Sequence, residues 1–441
     1  MKTDKFECKT YELTCISPVH IGSGEHLCAF EYLYDRVRQE VHFIDESKWI
    51  RFLARHGLTD SFAEYLERTA KAMGAKGPFL GENVWEWLRN KDVPEEELRS
   101  LAARTALAAT NTVDPQEKGT LNDIVCQMAL SDGRPYIPGS SIKGALRTAL
   151  MHRVICTKEK LRIRFWERLK AAEPEAMREA KTKAEKDIRR RSARATGHGM
   201  KDLESLAAKK FPAIYDRMLR FISKDMENEV FARLDYSSAK KRNGQPLKVT
   251  AEVRSSLRGL QVGDASPVGN SLDTVILQKI DATRRADLPG TAEASVPLFR
   301  ECLPVGAKLR FSVTMDKSMM ETVGIRSLDE LWETARNFTQ YCMKTQRKVF
   351  GEEYKGEFAE AENAGLLLGG GVGFHAKTIV ASLAPSPEEA RIFIADYLER
   401  AFQKQAHHHK ELDQEISPRT LKLTRDRDAS HIMGLCEVVP C

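Results

Sequence analysis

The stretch best equipped for chemistry is YIPGSSIKGALRTAL, residues 136–150. After Pro138-Gly139, Ser140 or Ser141 is placed to cap a helix, and Ile142, Leu146, Ala149 and Leu150 recur on one face. Lys143 and Arg147 stand four residues apart on the neighbouring face. A helix N-terminus offers free N–H groups and a positive dipole end, so two cations beside it suit a nucleic-acid phosphate backbone.

A second cluster is GLLLGGGVGFHAKT, residues 365–378, in which Gly369, Gly370, Gly371 and Gly373 precede Phe374 and Lys377. It nearly matches the P-loop pattern and fits the looser GxGxxA dinucleotide pattern. Both motifs need a helix to begin at this point, whereas the run TIVASL, closed by Pro385 and Pro387, predicts a strand over 374–383. Nucleotide binding is therefore rejected. The glycines read instead as a turn needing positive φ, or as a backbone surface approached closely by RNA, and Lys377 favours RNA.

A third segment, SPVHIGSGE at 17–25, is a loop after a first strand and carries His20 and Ser23. A histidine with a lysine nearby could activate a 2′-hydroxyl and steady the phosphorane, which defines a rival reading, a metal-independent endoribonuclease that processes precursor RNA. Nothing else completes such a site. His407-His408-His409, beside Glu411 and Asp413, lacks the i,i+4 geometry of metal helices and reads as a solvated surface tract. Neither a metal nor a cofactor is expected.

These segments need elements to hold them. Patchy alternation predicts a strand over 6–16, a hairpin pairs 30–35 with 40–45, and 47–107 is mostly helical, with Trp49, Phe52, Leu53, Phe62, Tyr65 and Leu66 as core. A basic helical region, 161–226, is interrupted by ATGHG at 195–199, and a polar loop covers 235–249. Strand signals return at 273–280 and 307–315, followed by a helix over 328–350 with Leu331, Ala335, Phe338 and Cys342 inward. Another helix covers 388–402, and an apolar segment, 432–439, comes last. Stripped of insertions, the order is βαββαβ, which predicts an α+β class with a discontinuous ferredoxin-like (RRM-like) core and large helical insertions. The expected divisions are 1–45, 46–130 (helical insertion), 131–155 (core helix), 156–250 (basic insertion and loop), 251–385 (rest of the core with the glycine-rich loop) and 386–441.

The 441 residues are 42% hydrophobic and 30% charged, too apolar for general disorder. Mean hydropathy is −0.43 and no run of about 18 uncharged apolar residues occurs, so no membrane span or membrane partner is expected. The start lacks a signal-peptide stretch. Nine cysteines without a CxxC pair argue against a disulfide framework or zinc ribbon, so the expectation is a soluble, reduced, cytoplasmic protein. Net charge is only +6, but residues 151–200 hold 15 Lys and Arg against 7 Asp and Glu. That concentration fits a polyanion partner, or a solvated helical face.

Four segments together resemble the RAMP proteins of CRISPR effector complexes: SPVHIGSGE, YIPGSSIKGALRTAL, GLLLGGGVGFHAKT, and SPRTLKLT (417–424) with HIMGLCEV (431–438). The closing pair resembles the fifth-subunit family of the type III-A Csm complex. The resemblance implies a ferredoxin-like core and a non-catalytic subunit that caps the 3′ end of CRISPR RNA, contacts the backbone and other Csm subunits, and supports maturation by cellular nucleases. It also implies that Ser140, Ser141, Lys143 and Arg147 hold CRISPR RNA phosphates. Gly369, Gly370, Gly371, Gly373, Phe374 and Lys377 would wall the RNA groove, with His20 and Ser23 close by. Related backbone subunits cut target RNA with an aspartate in the loop after the first HIG motif. Residues 21–34 contain none, so target cleavage is not expected.

Overall fold

The computed structural model describes residues 5–73, 83–109, 121, 123–192, 200–238, 245, 249–269, 272–284, 293–402, 407–426 and 429–441, with the side chains of 190–192, 200–202 and 293–297 outside that description. In FECKTYELTC the inward positions Tyr11, Leu13 and Cys15 are buried, and the segment forms strand β1 (Phe6–Cys15). Strands β2 (Gly22–Leu27), β3 (Tyr32–Asp35) and β4 (Glu40–Ile44) follow, the last two as the expected hairpin. Helices α1 (Glu46–His56), α2 (Thr59–Met73), α3 (Val84–Arg89) and α4 (Glu95–Ser100) pack Trp49, Phe52, Tyr65, Trp85 and Trp87 into one aromatic cluster with Leu33.

The expected helical insertion then turns to strand at β5 (Ala102–Ala109) and β6 (Ile124–Gln127). Helix α5 (Gly139–Thr157) carries the GSSIKGALR segment, and α6 (Glu159–Ser192) and α7 (Met200–Phe231) form a long antiparallel hairpin. Ala172, Ala176, Ala180 and Ala184 recur every four residues on α6 and are buried, so the two backbones approach closely. Part of the concentrated positive charge of α6 is paired: Arg162 with Glu159, Arg164 with Glu229, Arg168 with Asp225, Lys170 with Glu167 and Lys183 with Glu179. Arg189 is exposed, and the side chains of Arg190 and Arg191 lie outside the described residues.

Strands β7 (Leu260–Val262), β8 (Ser266–Pro267), β9 (Val275–Ala282), β10 (Glu293–Cys302) and β11 (Lys308–Asp316) complete the middle of the chain. Helix α8 (Lys317–Met320) is short, and α9 (Leu328–Phe350) buries Leu331, Ala335, Phe338 and Cys342 as the period required. After α10 (Lys355–Glu360) come β12 (Leu366–Leu367), α11 (Val380–Leu383), α12 (Pro387–Ala401) and α13 (His409–Leu412). Strands β13 (Leu421–Asp426), β14 (Ala429–Ile432) and β15 (Leu435–Pro440) close the chain.

The protein is a mixed α+β structure with two sheets. In the first, the order is β12-β15-β1-β11-β7, with β8 also on β11, and every pairing is antiparallel. Helices α5 and α9 pack on each other. The second sheet runs β2-β6-β10-β9-β5-β4-β3 and is mixed, since β6–β10 and β5–β9 are parallel. Strand β13 shares the β5 edge of β9 further along and pairs with β14.

Two expected elements sit elsewhere. The segment near 273–280 is β9 of the second sheet, whereas the strand beside β11 in the first is β7, only three residues long. The last strand is β15, and 374–383 is a turn leading into the one-turn helix α11. A strand was expected there because TIV is β-branched. Its residues instead pack against α5 and α6 as the chain reverses toward α12. The segment still does not form a nucleotide loop, because α11 is four residues long and begins four positions after Ala376.

Candidate nucleic-acid interface

The motif segments, far apart in the sequence, are knitted together by their backbones. Gly370 N–H donates to the His20 carbonyl at 2.7 Å, and Leu368 N–H to the Gly434 carbonyl at 2.9 Å. Gly434 N–H in turn donates to Pro18 O at 2.9 Å, and Leu435 N–H to Ser17 Oγ at 2.9 Å. Gln127 ties in the remaining segment: its Oε1 accepts Ile21 N–H at 2.9 Å, and its Nε2 donates to Tyr136 O at 3.1 Å.

At Gly369 φ is +87°, and a Cβ there would lie 2.1 Å from the His20 carbonyl oxygen. At Gly371 φ is +90°, with Met433 Sδ 2.6 Å from the Cβ position. Only glycine satisfies both the left-handed backbone and this close approach. The glycine run is therefore shaped to lie against the HIG loop, and cations pack against it as well. Arg300 lies under Gly370 and Gly371, and the aliphatic part of Lys422 lies under Gly373.

His20 is buried, with Nδ1 2.6 Å from the Glu301 carbonyl. Burial lowers its pKa to about 4, so the ring is neutral and Nδ1–H donates. The Glu301 side chain sits on the far side of the same strand, gripped by the Arg104 guanidinium, by Thr274 Oγ1 at 2.7 Å and by Gln127 N–H at 2.9 Å. That buried carboxylate network fixes the strand that positions His20. Ser23 is exposed in an irregular stretch of β2, its Oγ donating to Cys126 O at 3.3 Å.

Three cations surround one carboxylate near the loop. Lys422 and Lys279 reach Asp281 at 2.8 and 3.1 Å, and Arg300 donates to Met433 Sδ at 3.8 Å. Burial lowers the pKa of Arg300, and that of Lys422 despite its carboxylate. Lys377 is exposed and makes no ion pair among the described residues, with partial desolvation drawing its pKa below the ordinary lysine value. A local excess of positive charge of this kind is stabilised by an incoming polyanion.

The expected phosphate-binding residues divide. Arg147, Phe374 and Lys377 line one cavity of about 460 Å³, together with Arg220. Arg147 there pairs with Glu227 at 3.1 Å. Lys143 lines a different cavity of about 300 Å³ with Lys224 and Arg258, and its ammonium donates to the Leu260 carbonyl at 2.6 Å. Neither serine caps α5: Pro138 occupies the N-cap without a side-chain bond, and Gly139 N–H donates to Asp264 Oδ1 at 2.7 Å. Ser140 is exposed and Ser141 half-buried. The histidine tract is not wholly solvated, since His409 is buried against Asp413 at 2.9 Å, which also binds Arg419 at 2.7 Å.

Sequence reading missed Arg300, Lys422 and Lys279. Each stands in a strand with no second cation beside it, and only strand pairing brings Arg300 and Lys422 beneath the glycines and Lys279 beside Asp281. The one available signal was Lys422 inside the SPRTLKLT segment.

The chain as a whole is similar to known proteins. The chain is 25% identical over 442 residues to the CRISPR system Cms protein Csm5 of Mycobacterium tuberculosis, covering 98% of this chain and 97% of that protein. It is 29% identical over 161 residues to the Csm5 of Enterococcus italicus, covering 32% and 43% of the two chains. A chain in the cryo-EM structure of a Csm–crRNA–target RNA ternary complex of a type III-A CRISPR-Cas system superimposes with TM-score 0.57 at 18% identity, over 98% of this chain and all of that one. The RAMP superfamily profile matches residues 12–374, so this chain belongs to the RAMP superfamily, with Csm5 proteins among its relatives.

Proposed function

We propose that the chain is a non-catalytic CRISPR RNA-binding subunit of a type III-A Csm complex. In this reading it caps the 3′ end of the CRISPR RNA in the cytoplasm, contacts the backbone subunits and supports maturation by cellular nucleases. The carrying observation is the glycine-rich loop seated on His20 over Arg300 and Lys422, with the exposed Lys377, unpaired among the described residues, beside it. Backbone amides and cations of this kind hold phosphates without reading bases, as a subunit that accepts every spacer requires. The ferredoxin-like core is the four strands β15-β1-β11-β7 with α5 and α9, because that spatial order follows from strand, helix, strand, strand, helix, strand. Full-length similarity to Csm5 proteins supports the partners.

A non-catalytic role is supported by the state of His20. It is 4% exposed, its ring is a weak base, and its Nδ1 proton is committed to a backbone carbonyl. The test is to purify the tagged chain from its native cells and sequence the co-purified RNA. Recovery with Csm subunits and RNAs bearing repeat-derived 5′ tags and defined 3′ ends is the expected result. Recovery of the chain alone, free of spacer RNA, would overturn the proposal.

A further inference from the structure

On the β3–β4 hairpin, Asp35 stands directly opposite Glu40, and His42 lies two residues along β4 from Glu40. Directly opposed residues, and residues two apart on a strand, share one face of a sheet. Three donor atoms, one from each of these side chains, accordingly lie within 4.8 Å of one another. Asp35 and His42 are buried and Glu40 is half-buried.

His42 is the telling member. Its Nδ1 is 2.8 Å from Thr105 Oγ1, while Nε2 is buried with no hydrogen-bond partner and lies 3.7 Å from Glu40 Oε2. The imidazole is 2% exposed, stacked on Trp85 at 5.3 Å, and burial lowers its pKa, which keeps it neutral. With the proton on Nδ1 and donated to Thr105, the Nε2 lone pair faces the two carboxylates with nothing to accept from. A carboxylate cannot supply that proton at 3.7 Å, but two donors on one ion at about 2.1 Å are separated by roughly this much. The Thr105 hydroxyl has the orienting role that a second partner has in metal-bound histidines.

The carboxylates retain capacity. Asp35 Oδ1 accepts the backbone N–H groups of Val37 and Arg38 at 3.0 and 3.1 Å, and Oδ2 accepts Arg99 at 3.0 Å, which leaves Oδ2 a second lone pair.

We propose that Asp35, Glu40 and His42 form a binding site for one divalent transition-metal ion of the Zn²⁺ class, bracing the hairpin against β5 and the tryptophan cluster. One imidazole with two carboxylates selects a borderline ion over Mg²⁺ or Ca²⁺, and water fills the remaining positions. No sequence spacing announces the site, because β-strand pairing, not a linear motif, brings the donors together.

Zn²⁺ and Co²⁺ are the probes. The chelator-stripped full chain, dialysed against Zn²⁺, is expected to bind one equivalent more than Glu40→Gln and His42→Asn, with at least tenfold weaker binding in either variant. Zn²⁺ should raise the melting temperature of the unsubstituted chain only. The Co²⁺ form should show d–d absorption in the unsubstituted chain, lost in Glu40→Gln, without added thiolate-to-cobalt charge transfer, which separates the site from the nine cysteines. Glu40 is only half-buried, so Glu40→Gln decides the matter if His42→Asn fails to fold. Equal stoichiometry and equal Co²⁺ spectra in the unsubstituted chain and Glu40→Gln would overturn the proposal, as would an absence of binding in both.

Discussion

His20 and Gly370 are joined in both directions across the site: the His20 carbonyl accepts the Gly370 N–H at 2.7 Å, and the His20 ring edge is 3.0 Å from where a Gly370 Cβ would stand. One residue type is thereby imposed on the loop by another more than three hundred positions away. The neighbouring Gly369, with its positive φ and its approach to the same carbonyl, is the most sensitive point of the contact. Gly369→Ala is expected to lower stability by about 2 kcal/mol or more through strain and displacement. Thermal denaturation and RNA retention, measured together, should both fall, and an unchanged melting temperature would contradict the contact.

Lys377 and Arg147 line the same cavity but differ in what they already hold. Lys377 has no anionic partner among the described residues, whereas Arg147 is paired with Glu227. Lys377→Ala should weaken RNA binding by about three- to tenfold and reduce the salt slope by roughly one, whereas Arg147→Ala should have a smaller effect on both. Filter binding of CRISPR RNA across a salt series distinguishes them, and equal losses would show that the Glu227 pair opens on binding.

Glu301 is 1% exposed and answers to three donors. Glu301→Gln removes the charge opposite Arg104 and leaves a donor where Thr274 or Gln127 also donates. A loss of about 3 kcal/mol is expected, because one partner of a buried pair is left behind. Urea denaturation measures it. Arg104, which is partly exposed, should tolerate Lys better than Glu301 tolerates Gln.

Three histidines are held neutral by burial: His20, His152 and His375 each have a pKa lowered to about 4. The unfolded chain binds these protons near the ordinary value of 6.5, so it takes up protons that the folded chain refuses. Stability is therefore fully present above pH 6.5 and declines as pH falls toward 4, by about 1.4 kcal/mol per pH unit for each histidine. Denaturant midpoints at pH 7.5, 6, 5 and 4 should fall along that curve, and His152→Gln, which removes one proton from the count, should flatten it.

What the sequence made legible was whatever depends on local periodicity or on a compact motif. The hairpin 30–45, the inward face of 328–350 and the positions of the four motif segments are of this kind. The strand LQV at 260–262 was invisible because three residues carry no periodic signal, and TIV at 378–380 misled because β-branching speaks for strand while tertiary packing bends it into a turn. In the site, glycine placement and Lys377 were readable. Arg300 and Lys422 were not, since an isolated cation in a strand looks the same whether it faces solvent or packs beneath a distant loop. The serine cap failed for a different reason: the helix already begins at Gly139, whose N–H goes to Asp264, 125 positions away, so Ser140 and Ser141 fall inside the first turn rather than ahead of it.

The place of β15 between β12 and β1 has a consequence for how the chain is made. Leu435 N–H finds its acceptor on Ser17, 418 positions earlier, and β1 pairs with β15 from Tyr11 to Cys15. During synthesis the β1 edge must wait, with its hydrogen-bonding groups open, while nearly the whole chain is translated, and at 5–20 residues per second that is on the order of half a minute. The first strand made is thus among the last to be completed. Nascent chains of this protein should be most prone to sticking edge to edge in that interval, and a ribosome-associated chaperone or an early-arriving neighbour on the open edge would determine the yield of folded protein.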